Sequence, residues 1–180
     1  NKRKLAFIET FTAAVIKLSK TRVGALFAIE RSISLKQQLE TGVRLDAEFS
    51  SELALTIFQP KTPLHDGGVI IAQDRVAGAG CVFPVSQKEL TDRSIGLRHR
   101  AGIGVTEETD CVAVVVSEET GAISICVDGE LMRDLEEDEF LDKLGEIFLL
   151  EKKGDETRAE EELDGQNPGS AAGGRDLVPD

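Results

Sequence analysis

Four short apolar runs in the middle of the chain, at residues 69–72, 76–83, 111–116 and 122–127, decide much of its architecture. Runs of this length that are rich in Val, Ile and Ala and bounded by turn residues are typical of buried strands, since helices are usually longer. The first two runs flank a polar turn at residues 73–75 and therefore predict a hairpin. Strands that are apolar on both sides require cover on both faces of their sheet.

Helices predicted on either side of these runs could cover both faces of the sheet. Apolar residues recur three and four apart in residues 7–18 and 140–148, and a serine at position 50 or 51 is expected to cap a helix that ends before Pro60. Residues 98–108 predict another helix, although two internal glycines disfavour it. We therefore predict one globular domain of the α/β (α+β) class, with a central mixed β-sheet flanked by helices.

A change in composition marks the expected end of this domain. From Glu151 onward the chain is rich in Glu, Asp, Gly and Ala and poor in large apolar residues. Segments of this kind bury too little apolar surface to fold by themselves. We predict that the domain occupies residues 1–150 and that 151–180 form an acidic, disordered C-terminal tail.

Charge and residue usage exclude several classes of function. The chain has 33 Asp and Glu against 21 Lys and Arg, a net charge of −12, which argues against binding to nucleic-acid backbones. The three cysteines lie in apolar runs without a CxxC spacing, and together with two histidines they do not match the ligand spacing of a zinc site; we expect buried, reduced thiols. No run of about 18 apolar residues is present to span a bilayer. The first residue is Asn, so we expect a fragment that an anchor could precede.

The first candidate site is His65-Asp66-Gly67-Gly68, at the entrance to a predicted strand. A carboxylate beside an imidazole can bind a divalent metal or take a proton from a hydroxyl group. Paired glycines allow another molecule to approach the backbone. The alternative is an ordinary turn, since these residue types are also good turn formers. A metal-dependent phosphohydrolase of the His-Asp type is rejected, because it needs further histidines on helices.

The second candidate is Arg98-His99-Arg100, a cationic cluster in an acidic chain. It suggests an anion site, most plausibly for phosphate. Residues two apart on a helix point about 200° apart, so both arginines could grip one phosphate only from the first helical turn or just before it. The alternative is a solvated charge run paired with nearby acids. A third cluster, residues 117–121, places carboxylates after a buried strand, where an ordinary hairpin turn is the alternative.

Together these clusters resemble the diadenylate cyclase (DAC domain) family. Asp66-Gly67-Gly68 is similar to its Asp-Gly-Ala motif and Arg98-His99-Arg100 to its Arg-His-Arg motif, and residues 62–67 and 116–121 agree as well. The resemblance covers about residues 5 to 150 and is strongest to the membrane-anchored form. It implies the DAC-domain fold and an enzyme that condenses two ATP molecules into cyclic di-AMP. It also implies a homodimer or a higher homo-oligomer, no nucleic-acid partner, and a cytoplasmic location on the inner face of the membrane.

The resemblance also assigns roles to residues. It implies catalytic roles for Asp66, Gly67, Arg98, His99 and Arg100, with the last three at the triphosphate and Asp66 at the attacking ribose 3′-hydroxyl. The implied ligands of a divalent metal (Mg²⁺, Mn²⁺ or Co²⁺) are His65, Asp66 and Glu119. The implied nucleotide-binding residues are Gly68, Phe83, Leu97 and Ser117.

Two positions depart from the family pattern. Gly68 stands where the family usually has Ala, and we expect a looser turn but no lost functional group. Leu97 stands where Thr usually precedes the arginines, which removes a hydroxyl group that could contact phosphate or metal. A catalytically weak or inactive regulatory domain of the same fold is therefore the main alternative, and a purely structural domain is the second.

Overall fold

The computed structural model describes residues 2–90, 92 and 95–166, with the side chains of 150–162, 164 and 166 outside the description. Five helices and seven strands make up these residues. In chain order they are α1 (Lys2–Lys20), β1 (Ala25–Ile29), α2 (Lys36–Leu39), β2 (Val43–Glu48), α3 (Ser51–Phe58), β3 (Gly68–Ala72), β4 (Arg75–Cys81), α4 (Leu97–Glu108), β5 (Val112–Val116), β6 (Ile123–Val127), β7 (Glu130–Leu135) and α5 (Glu137–Gln166).

The described strands form one mixed sheet in the order β2-β4-β3-β1-β5-β6-β7. β1 and β3 are parallel, with Phe27 opposite Val69, and every other neighbouring pair is antiparallel. The predicted β3–β4 hairpin is present, and the mixed sheet with flanking helices confirms the predicted fold class.

This topology brings the ends of four strands together at one end of the sheet. Because β1 and β3 run parallel, their N-termini lie at the same end. β4 and β5 run antiparallel to them, so their C-termini lie at that end. The segments next to these ends are Gly24, Gly67, Val82 and Ser117, and the functional candidates lie among them.

The core has two layers, one on each face of the sheet. On β1, Phe27 contributes to the cluster shared with α1, α3 and α5, whereas Leu26 and Ala28 contribute to the cluster under α4. The Phe27 ring packs edge-on against those of Phe11 and Phe58, each with centroids 5.0 Å away. Burying a side chain of this size contributes about 1.5–3 kcal/mol. Burial on both faces explains why β1 reads as an uninterrupted apolar run.

Two strands, β2 and β7, were not predicted, and both lie at the edges of the sheet. Most of their residues are exposed or half-buried. An edge strand needs little apolar surface, so it can carry charged residues such as Arg44 and Asp134, and no buried run marks it in the sequence.

The C-terminal helix differs from the expectation of a disordered tail beginning at Glu151. α5 begins at Glu137 and ends at Gln166, so regular structure extends past residue 150. Glu, Lys, Ala and Arg are good helix formers, and composition alone underrates them. Residues 167–180 lie outside the described residues, and the domain boundary stays a prediction. In the part of the chain that is described, no helix is long and apolar enough to cross a membrane.

The three cysteines are free and buried, as expected. Burial raises the pKa of the Cys81 and Cys111 thiols to about 11 and that of Cys126 to about 12. All three are therefore protonated at neutral pH.

Candidate active site

A cavity of about 540 Å³ opens at the end of the sheet where the four strand ends meet. Its volume lies within the ordinary range for small-molecule sites. It is lined by residues of β1, β4, β5, the entrance to β3 and the first turn of α4: Leu26, Asp66, Gly67, Cys81, Val82, Phe83, Val85, Gly96, Leu97, Arg98, His99, Ala101, Val116, Ser117, Glu118 and Glu119. All three sequence clusters therefore meet at one cavity, and the carboxylate at position 66 shares it with the guanidinium of Arg98.

His65 and Asp66 form a pair at the entrance to β3. Nδ1 of His65 lies 2.7 Å from the carbonyl oxygen of Thr62, which can only accept, so Nδ1 carries a proton and donates it. Nε2 lies 3.3 Å from Oδ1 of Asp66, whose side chain is 83% exposed. In the neutral ring, the Nε2 lone pair and the carboxylate thus face the same space. Two such donors suit a divalent cation, and the Thr62 contact fixes the orientation of the ring.

A metal site cannot be completed from these residues alone. Among the described residues, no group of three or more His, Cys, Asp or Glu side chains is arranged to hold a metal. Glu119 lines the same cavity but does not complete a cluster with His65 and Asp66. Mg²⁺ is commonly held by one or two protein ligands with the rest supplied by phosphates and water, and the His65–Asp66 pair fits that pattern.

The two glycines after Asp66 are required by close packing. A Cβ on Gly67 would lie 2.8 Å from the carbonyl carbon of Gly80, against the backbone of β4. The absence of a side chain at Gly67 therefore allows the backbone of β4 to approach, and the expected approach of a nucleotide to this glycine stays a prediction. A Cβ on Gly68 would overlap the ring of Phe83. The expected looser turn is not what the structure shows, because Phe83 fills the space.

The first turn of α4 faces the cavity. Gly96 is the N-cap residue and has no side chain to bond the free N–H groups of the turn. Gly96, Leu97, Arg98 and His99 all line the cavity, so these N–H groups and the helix dipole favour an anion there. Leu97 is 72% exposed, at the mouth.

Arg98 and Arg100 point to different places, as residues two apart on a helix must. Nη1 of Arg98 lies 3.6 Å from Oε2 of Glu118, and the Arg98 side chain is 23% exposed. Nη1 of Arg100 instead donates to the carbonyl oxygen of Lys88, and Arg100 does not line the cavity. The backbone carbonyl of Arg100 also accepts from the N–H of Ser86. In this structure Arg100 holds the 84–90 loop against α4, whereas Arg98 faces the ligand space.

His99 is buried at the back of the cavity, with 7% of its surface exposed. Burial lowers the pKa of its imidazole, and the charges of Arg133 and Arg98 lower it further, against a smaller opposite effect of Asp134. The ring is therefore neutral at neutral pH.

Ser117 shapes the turn that follows β5. Its Oγ accepts from the backbone N–H groups of Glu119 and Thr120 at 3.2 and 3.3 Å. The Ser117 carbonyl accepts from the N–H of Gly121. These bonds hold the carboxylate-bearing turn at the cavity, and Ser117 lines it as expected.

Sequence reasoning did not single out several residues of the cavity. The apolar residues Leu26, Val82, Val85 and Val116 belong to strands or their ends, and only the topology shows that they face the site. Glu118 was part of a recognised cluster, but its pairing with Arg98 depends on α4 lying beside the turn after β5, which no local pattern reveals.

Comparison with known proteins agrees with this geometry. The sequence model described as "DAC: DisA bacterial checkpoint controller nucleotide-binding" matches residues 12–131. The chain belongs to the DAC family. The match begins within α1, ends at the start of β7 and includes every residue of the cavity.

Among individual DAC proteins, the chain is 43% identical over 141 residues to the cyclic di-AMP synthase CdaA of Bacillus subtilis, covering 78% of this chain and 52% of that protein. It is 43% identical over 144 residues to the diadenylate cyclase of Listeria monocytogenes, covering 80% and 51%. The chain thus spans about half the length of these relatives.

Solved structures give the same result for the fold. The crystal structure of a double mutant of DacA from Staphylococcus aureus superimposes with a TM-score of 0.78 at 39% identity, covering 81% of this chain and 97% of that one. A structure described as a hypothetical membrane spanning protein from Bacillus cereus has a TM-score of 0.68 at 36% identity, covering 71% and 63%.

Proposed function

We propose that this domain is a diadenylate cyclase, which condenses two ATP molecules into cyclic di-AMP and releases two pyrophosphates. The observation that carries the proposal is the convergence of Asp66, Arg98 and the open first turn of α4 on one cavity. The names of the relatives at 43% identity support the same reaction.

In the proposed reaction, the 3′-oxygen of each ribose attacks the α-phosphorus of the other ATP. The new P–O bond forms as the bond from the α-phosphorus to the β-phosphate oxygen breaks, and pyrophosphate leaves with that electron pair. The exposed carboxylate of Asp66 accepts or orients the 3′-hydroxyl proton. Arg98 and the N–H groups of α4 stabilise the charge on the phosphates.

A divalent metal at His65 and Asp66 is part of the proposal. Mg²⁺, Mn²⁺ or Co²⁺ would neutralise phosphate charge and make the ribose hydroxyl more acidic. Glu119 is the proposed third protein ligand, and because it does not complete a cluster in one chain, a shift of its turn or the second protomer would have to bring it in.

Homodimerisation follows from the stoichiometry. The described cavity contains one Arg98 and one Asp66, enough for one triphosphate and one attacking hydroxyl, whereas the reaction needs two of each. Two copies facing each other across their cavities would align both ATP molecules, and alignment of this kind accounts for much of an enzymatic acceleration. Val82 and Leu97, exposed at the mouth, are apolar surface that such a contact would cover.

The proposed location is the inner face of the cell membrane, in a protein longer than this chain. It is supported by the description of the Bacillus cereus neighbour as membrane spanning and by the length of the relatives.

The test is a product assay. The protein is incubated with ATP and Mg²⁺ or Mn²⁺, and cyclic di-AMP is sought by mass spectrometry; 3′-deoxy-ATP, which lacks the attacking hydroxyl group, is the matched substrate control. The expected result is that cyclic di-AMP forms from ATP and that no cyclic product forms from 3′-deoxy-ATP. Binding of ATP with no product would instead favour the weak or inactive regulatory domain, for which the exposed Leu97 is the structural argument.

A further inference from the structure

Gly24, which lies outside every motif in the sequence, is buried directly before β1 at the cavity edge. If it carried a Cβ, the three nearest heavy atoms would all belong to Arg98: Nη1 at 2.6 Å, Cζ at 2.7 Å and Nη2 at 3.2 Å. Carbon atoms in good contact lie about 3.5–4.0 Å apart, so the guanidinium and a side chain at position 24 cannot share this space.

The backbone gives no separate reason for glycine at this position. The glycines with positive φ are Gly67, Gly80, Gly121 and Gly129, so an alanine at position 24 would fit the chain path. What the missing side chain provides is room for one guanidinium group.

The register of the sheet places the second contact of that guanidinium. Ala25 is opposite Val116, so Gly24 lies beside the turn that carries Glu118. The Arg98 guanidinium therefore lies between the Gly24 backbone and the Glu118 carboxylate, with 3.6 Å between Nη1 and Oε2. Because the Glu118 side chain is 66% exposed, this ion pair is weak, and a phosphate can replace it. Sterics rather than the ion pair then fix the position of the guanidinium.

We propose that Gly24 is a positioning residue for Arg98: the slot left by its missing side chain holds the guanidinium at the phosphate end of the cavity. This inference rests on the proposed role of Arg98 in nucleotide binding. A methyl group at position 24 would displace the tip of a flexible side chain by about 1 Å, a change that leaves the fold intact but can cost up to about a hundredfold in a well-aligned site.

The experiment is a double-mutant cycle on the full chain, with Gly24→Ala, Arg98→Ala and the double variant. Two readouts are used: the affinity for 3′-deoxy-ATP with Mg²⁺, which needs no turnover, and the rate of cyclic di-AMP formation from ATP. We expect Gly24→Ala to weaken binding about tenfold or more, and to have no further effect once Arg98 is already alanine. Gly145→Ala in α5 is the matched control, because a Cβ there meets only Leu149, at 3.9 Å, and it should leave both readouts unchanged.

Several outcomes would overturn the role of Gly24: wild-type affinity in Gly24→Ala, a loss that persists undiminished in the Arg98→Ala background, or a wild-type protein that binds no nucleotide. If Gly24→Ala fails to fold, the double variant decides, because it should fold only if the clash is with Arg98. Wild-type binding without product would contradict the cyclase activity alone, and the affinities of the variants would still judge Gly24.

Discussion

The two sides of the cavity are built in opposite ways. The arginine wall, formed by Arg98, His99 and Glu118, is anchored in the core: His99 is buried and Arg98 is mostly covered. The aspartate wall, formed by Asp66 and Gly67, carries a carboxylate that is 83% exposed and lies 3.3 Å from Nε2 of His65. The side proposed to bind phosphate is thus preorganised, whereas the side proposed to activate a hydroxyl group is exposed and could admit a metal, a substrate and a second protomer. Substitution of the exposed Asp66 side chain should accordingly affect chemistry alone, whereas substitutions in the arginine wall should affect stability as well.

The largest expected effect is that of Asp66→Asn. The amide keeps the shape but neither accepts a proton nor carries charge, so cyclic di-AMP formation should fall at least about a hundredfold. Since the side chain is exposed, the melting temperature should stay within about 1–2 °C. Product quantification and thermal unfolding check the two halves. Near wild-type turnover would remove Asp66 from the chemistry, and a large loss of stability would break the contrast between the walls.

Gly68→Ala should have the next largest effect. It restores the residue usual in the family, yet here its Cβ overlaps the Phe83 ring. Overpacking of this kind costs about 1–3 kcal/mol, and the displaced ring would intrude on the cavity. We expect a lower denaturation midpoint and a rate reduced several-fold, and the midpoint should recover in Gly68→Ala with Phe83→Leu. If the single variant matched wild type, the close packing of Gly68 and Phe83 would have no energetic weight.

Protonation of His99 should make the stability of the protein depend on pH. Because its pKa is lowered from 6.5 in the folded protein, the unfolded chain takes up a proton first as the pH falls. This group therefore contributes no pH dependence well above 6.5, and below it the free energy of unfolding decreases by up to about 1.4 kcal/mol per pH unit until the folded pKa is reached. Denaturant titrations of wild type and His99→Gln between pH 7.5 and 5 would test this. Parallel curves would show that His99 titrates alike in both states.

The smallest effect is expected for Leu97→Thr. A hydroxyl group at this exposed position, at the N-terminus of α4, could bond to phosphate, and the rate should rise by a few-fold. Steady-state rates for the variant, beside Leu97→Val as the isosteric control without the hydroxyl group, separate this from a change in bulk. Equal rates for both would mean that the departure from the family pattern is harmless.

The sequence was most informative where a residue's environment is local. The strands β3, β5 and β6 were recognised from their short apolar runs, and a cap was expected at Ser50 or Ser51; the bond from the N–H of Leu53 places it at Ser50. Asp66 was recognised as a carboxylate beside turn residues and Arg98 as part of a cationic cluster in an acidic chain, and both line the cavity. Their roles in catalysis remain predictions.

What escaped prediction depends on contacts distant in sequence. Arg100 belongs to the same motif as Arg98, and only the position of the 84–90 loop shows that it bonds to the Lys88 carbonyl instead of facing the ligand space. Gly24 lies in a short apolar run at residues 23–29, and a glycine in such a run often marks a close approach. That signal names the place but not Arg98, 74 positions further along the chain, as the group that approaches.

The end of the sheet opposite the cavity has a practical use that follows from strand direction. The turn of Gln73 and Asp74 joins the far ends of β3 and β4, about 17 Å of strand away from the cavity. A fluorescent label or a short inserted peptide at this turn would lie at the opposite end of the sheet from both walls. It would also lie away from the surface where a second copy of the chain would meet the walls. Reporter groups for binding or assembly can therefore be attached here without blocking the process that they are meant to observe.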